Sequence, residues 1–125
     1  MAATGKDGSS EIGRRAEDHA AGYLKKQGMT LLSRNYRCRS GELDLVMQEG
    51  SVLVFVEVRY RASARFGSAA ESVDRRKQRR LTDAANHYLQ HHCATNRPCR
   101  FDVVAITEDQ GKAVVEWFRD AIEST

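Results

Sequence analysis

The run Val52-Leu53-Val54-Phe55-Val56-Glu57-Val58-Arg59 limits what this chain can fold into more than any other stretch. Side chains alternate across a strand, and here both alternating sets are apolar, so the strand must be covered on both faces at the centre of a sheet. A carboxylate at the end of such a run costs free energy unless it is paired or bound to a metal. Arg59 lies two residues on and on the same face, which makes a strand-end ion pair the simplest account of Glu57. Metal ligation is the alternative, and it needs a second acid nearby.

Asp44 is that second acid. Residues 42–48 alternate, with Leu43, Leu45 and Met47 on one face and Glu42, Asp44 and Val46 on the other. The turn signal Glu49-Gly50 joins this strand to residues 52–61 as an antiparallel hairpin. A two-residue loop at Glu49-Gly50 pairs Gln48 with Ser51 and Asp44 with Phe55, so Asp44, Glu57 and Arg59 share a face. Asp44 then lies diagonal to Glu57, roughly 7–8 Å away. The shared face survives for even-numbered loops only, because a one-residue slip turns Asp44 to the other side. Two carboxylates on adjacent central strands repel each other unless a divalent cation lies between them, and hard oxygen donors favour Mg²⁺, with Mn²⁺ as a substitute.

The flanking segments supply the rest of a fold. Ile12, Ala16, Ala20, Tyr23 and Leu24 recur at helical spacing over residues 11–27, with Ser10 placed to cap the helix and Gly28 to end it. Residues 1–10, small and polar, read as a disordered tail ahead of a single domain over residues 11–125. Residues 30–37 form a strand, and residues 62–70, around Phe66-Gly67, a loop. A second helix is expected over residues 73–92, capped by Ser72, with Val73, Lys77, Leu81, Ala84, Ala85, Tyr88 and Leu89 tracing its inner stripe. Lys77 on that stripe either sends its ammonium into the site or lays its stem along apolar surface. Residues 100–106 form a strand, 108–112 a turn and 113–118 a last strand. The class is α/β, a mixed β-sheet flanked by helices with core order αβββαβ.

Charge is unevenly spread. Residues 1–100 hold 18 Lys and Arg against 11 Asp and Glu, whereas residues 101–125 hold 2 against 6. The basic portion contains the candidate site, as in a polyanion-binding protein, although a solvated basic face has the same composition. Arg37, Arg61, Arg75, Arg76, Lys77, Arg79 and Arg80 are the candidates for phosphate contact. Three cysteines without a CxxC pair fit reduced thiols, and with no apolar run long enough for a signal or a span the expected location is cytoplasmic, away from membranes. The spacing of His91, His92, Cys93 and Cys99 fits no common zinc pattern.

Several motifs in order carry a resemblance. Asp44 followed by Val54-Phe55-Val56-Glu57-Val58-Arg59 resembles the bipartite motif of PD-(D/E)xK nucleases, the superfamily of restriction enzymes and Holliday-junction resolvases. With Gly13-Arg14-Arg15-Ala16-Glu17, Arg34-Asn35-Tyr36-Arg37, Gly41-Glu42-Leu43-Asp44, Phe66-Gly67, Lys77 and Arg100-Phe101-Asp102, the segment from Gly13 to Phe118 resembles the bacterial YraN family. The resemblance implies a restriction endonuclease-like fold and a Mg²⁺-dependent endonuclease acting on DNA, in which Asp44 and Glu57 hold the metal and Glu17 helps from the first helix. The motif lysine that orients the attacking water falls at Arg59, a guanidinium that stays protonated and cannot act as a base. The resemblance thus also admits a nucleic-acid-binding domain of the same fold with little or no catalysis. A homodimer, presenting two sites to two strands as resolvases do, is the oligomer it suggests.

Overall fold

The computed structural model describes residues 4–61 and 74–122. It contains α1 (Thr4–Lys26), β1 (Thr30–Cys38), β2 (Gly41–Glu49), β3 (Val52–Arg61), α2 (Arg75–His91), β4 (Cys99–Asp109) and β5 (Lys112–Phe118). The five strands form one sheet in chain order; β3 and β4 are parallel and the other neighbours antiparallel. This is the expected mixed sheet flanked by two helices, compatible with a restriction endonuclease-like fold.

β3 is central, and its two apolar faces feed two cores. Val54 and Val56 pack with Leu45, Met47, Val104 and Ile106 against Ala16, Ala20, Ala21 and Leu24 of α1, whose small residues let the helix lie close to the sheet. Leu53 and Phe55 pack with Phe101 and Val103 against Leu81, Ala84, Ala85, Tyr88 and Leu89 of α2, the stripe read from the sequence. α1 ends as expected at Gly28, left-handed at φ 97°, with the Met29 N–H closing on the Leu24 carbonyl at 3.1 Å.

Four local expectations need correction. α1 begins at Thr4, so its backbone takes in residues 4–10, read from the sequence as a tail, and Ser10 lies within it; extending a packed helix is far easier than nucleating one. α2 begins at Arg75 and its cap is Asp74, whose Oδ1 accepts from the Lys77 N–H at 2.9 Å; Ser72, Val73 and the expected loop at 62–70 lie outside the described residues. The β2–β3 turn is Gly50-Ser51, with Gly50 at φ 60°, and Glu49 pairs with Val52. Glu49 stays in the strand because its carboxylate meets Arg100 at 2.8 Å and Arg119 at 3.0 Å. The register therefore moves by two residues, which preserves which face each side chain takes. Finally, Leu43 belongs with the α2 core and not with Leu45 and Met47. Its partner Tyr36 is on the same side, whereas Arg34, paired with Leu45, reaches Asp18 of α1 at 2.6 Å. Both strands change face between these pairs, at Asn35 and Asp44, and Asn35 has the left-handed φ of 52° that such a break requires.

Gly41 fixes α2 against β2. A Cβ there would collide with the carbonyl oxygen of Arg80, so only glycine lets the helix backbone come this near.

Candidate functional site

The sheet forks where the candidate residues lie. β2 stays paired with β1 as far as Gly41, and β3 with β4 as far as Arg61, yet the pairing of β2 with β3 stops at Leu45 and Val56. The next residue outward on each strand is Asp44 and Glu57. Just past them, the Val58 N–H donates to Asp44 Oδ2 at 2.9 Å, so a side chain takes a backbone donor at the parting of the strands. The fork opens into a cavity of about 630 Å³ between α1 and α2, whose charged lining includes Glu17, Glu42, Asp44, Glu57, Arg59 and Lys77.

Glu57 is only 4% exposed. Its Oε2 meets Arg59 NH1 at 3.0 Å and Lys77 Nζ at 3.5 Å. The ion pair anticipated for Arg59 is thus present, and Lys77 comes to the same oxygen from the first turn of α2, which Asp74 caps. Asp44 is half-buried. Burial pushes its carboxyl well above the usual carboxylate range, and the Glu57 charge adds to this; the Val58 N–H opposes the rise, while Glu17 and Glu42 reinforce it.

Glu17 reaches the cavity from α1. Its Oε1 accepts from Asn35 Nδ2 at 3.2 Å and lies 3.6 Å from Arg34 NH2. Asn35 has no role assigned from the sequence beyond its place in the motif Arg34-Asn35-Tyr36-Arg37. Its signal is asparagine within a strand run, one of the few residue types that tolerate left-handed backbone. Asp74 was passed over, because Ser72 offered an equally good cap.

Glu17, Asp44, Glu57, Arg59, Arg61 and Lys77 therefore all line one cavity. Arg37, Arg75, Arg76, Arg79 and Arg80 do not; they are exposed on β1 and on the outer face of α2. Asp102 is fully buried on β4, paired with Val56 of β3, and its partners are Arg100, Trp117 Nε1 and the Asp120 N–H.

The donors in the cavity are carboxylate oxygens, the hard ligands that Mg²⁺ and Mn²⁺ prefer. Burial and, after it, the charge of Glu57 raise Asp44, and the repulsion between the two acids is what a divalent cation would relieve. Among the described residues, no three or more His, Cys, Asp and Glu side chains are gathered as a ready-made metal cage. The fit therefore rests on Asp44 and Glu57 as a pair, with water as the remaining ligands, a common arrangement for Mg²⁺. No helix among the described residues is long and apolar enough to cross a membrane.

A family model described as an uncharacterised protein family, UPF0102, matches residues 16–106. The UPF0102 protein of Pseudomonas entomophila is 54% identical over 114 residues, covering 89% of this chain and 92% of its own. That of Nitrosococcus oceani is 52% identical over 110 residues, covering 87% and 89%, and that of Saccharophagus degradans 52% over 113 residues, covering 90% and 92%.

Proposed function

The chain belongs to the UPF0102 family, called YraN above, and we propose that it is a Mg²⁺-dependent phosphodiesterase that cuts DNA internally, selecting backbone or branch structure over sequence. The observation that carries this reading is the juxtaposition of Asp44 and Glu57 at the fork of the sheet, with Arg59 and Lys77 on the wall of the same cavity. A buried acid and a half-buried one with no chemical task are seldom placed side by side, where their charges repel.

In this reading Asp44 and Glu57 hold the cation, and Glu17 acts through a bound water. Mg²⁺ supplies acidity to a bound water and stabilises charge on the phosphate. The protein supplies the rest. Arg59 carries a permanent positive charge, so it orients the nucleophile or the scissile phosphate and stabilises the charge that develops there, without taking a proton. Lys77 adds a second cation from α2. The exposed arginines of α2 hold the DNA backbone.

A second reading, a DNA-binding domain without catalysis, is favoured by one observation: Glu57 already has two cationic partners, which a metal would have to loosen. One experiment separates the two. Single-stranded, duplex and branched DNA are incubated with the protein in Mg²⁺, in Mn²⁺ and in chelator, beside Asp44→Ala and Glu57→Gln. Metal-dependent cleavage by wild type alone supports the nuclease; binding at equal affinity by all three proteins with no cleavage supports the second reading.

A further inference from the structure

A second cavity, of about 310 Å³, adjoins the carboxylate cavity and shares Ile12, Ala16 and Tyr60 with it. Its size is at the lower end of pockets that take a small organic group. Ile106 forms an apolar floor and is 3% exposed, whereas Ile12, on the ridge between the two cavities, is 47% exposed, a large apolar side chain left in water. Tyr60 is held in place by its hydroxyl, which donates to Glu108 Oε1 at 2.6 Å. Arg15 and His19 stand exposed at the rim. Arg15 is close enough that its charge opposes the rise which Glu108 imposes on the Tyr60 hydroxyl.

We propose that this cavity receives one unpaired nucleotide next to the scissile phosphate. The inference rests on the DNA-cutting reading and narrows its substrate class to DNA with a single-stranded portion: a single strand, a flap or the branch of a junction. An aromatic side chain among apolar neighbours is the surface on which single-stranded bases stack, and the Arg15 guanidinium beside it suits the phosphate that each base carries. A base within a continuous duplex is stacked and paired and does not reach such a pocket without being flipped out. The walls that the two cavities share put the unpaired nucleotide beside the cavity that holds Asp44 and Glu57. An apolar peptide side chain would find no use for Arg15 and His19.

The test is anisotropy binding in chelator, so that no cutting occurs, with a labelled single strand, a continuous duplex and a duplex bearing a single-stranded flap. Wild type should bind the flap about tenfold or more tightly than the duplex. Tyr60→Leu should lose that preference and keep duplex affinity, which also shows that it is folded; Tyr60→Phe, which retains the ring and loses the bond to Glu108, should keep most of the preference. Equal binding of flap and duplex by wild type overturns the proposal, as does a Tyr60→Leu variant that weakens both substrates alike, or no DNA binding at all. A flap preference without metal-dependent cleavage keeps the subsite and removes the nuclease reading; cleavage without the preference does the reverse.

Discussion

Asp44 holds two roles in opposition. Its carboxylate accepts the Val58 N–H and is destabilised by burial and by Glu57. An unfolded aspartate titrates near pH ~4. Because its folded value is higher, the stability this group contributes is complete below the unfolded value and is lost as pH rises through the folded one. In chelator, Asp44→Asn should therefore melt above wild type at neutral pH, with the gap closing below about pH 4, since asparagine keeps an oxygen for Val58 without the charge. A variant that melts lower at neutral pH would mean that the stronger bond a charged carboxylate accepts from Val58 outweighs burial and repulsion. Saturating Mg²⁺ should raise the melting point of wild type and leave Asp44→Asn nearly unmoved. Arg59 allows a kinetic counterpart: if fixed charge is its contribution, Arg59→Lys retains most activity and Arg59→Met loses roughly 10²-fold in kcat, compared at equal DNA occupancy. Wild-type cutting by Arg59→Met would leave this residue only as the partner of Glu57.

At the scale of elements, β4 is fastened by Asp102, on which the Arg100 guanidinium at 3.0 Å, Trp117 Nε1 at 2.9 Å and the Asp120 N–H at 2.8 Å converge. Asp102→Ala strands these donors, Arg100 among them, and should cost about 3–5 kcal/mol in urea unfolding; a loss below 1 kcal/mol would show that water replaces the carboxylate freely. The sequence made β3, the α2 stripe and the Gly28 stop legible because each follows from local period or backbone chemistry. It also brought Asp44 and Glu57 to one place, since parity survives a two-residue change in register. The register itself was not legible: Gly50 suits either turn, and what keeps Glu49 in the strand is Arg100 and Arg119, distant in sequence. Nor was the face change at Asn35 and Asp44, because strict alternation has no place for a left-handed residue within a strand. Lys77 was placed on the correct side of α2, but its meeting with Glu57 depends on how closely Gly41 lets the helix approach β2.

For the molecule as a whole, α2 divides its cations between two tasks, with Lys77 turned into the cavity and Arg75, Arg76, Arg79 and Arg80 facing solvent. Each phosphate these residues neutralise should add about 0.9 to the slope of log affinity against log salt on duplex DNA. Replacing all four by Glu should weaken binding and flatten that slope, whereas an unchanged slope would place the DNA on another face. The central position of β3 has a consequence for how the chain reaches this state. β1, β2 and β3 follow one another through short turns, but the far edge of β3 stays open until α2 has crossed over and β4 has paired. During that interval Val52 to Val56, apolar and free of proline, is a template for mispairing with another chain, and the first charge after it is Glu57. Glu57 is in this sense a gatekeeper against aggregation as well as a member of the site. Refolding from urea at rising protein concentration, followed by light scattering, should show Glu57→Val clouding before wild type, while a variant that stays as clear as wild type would confine Glu57 to the cavity.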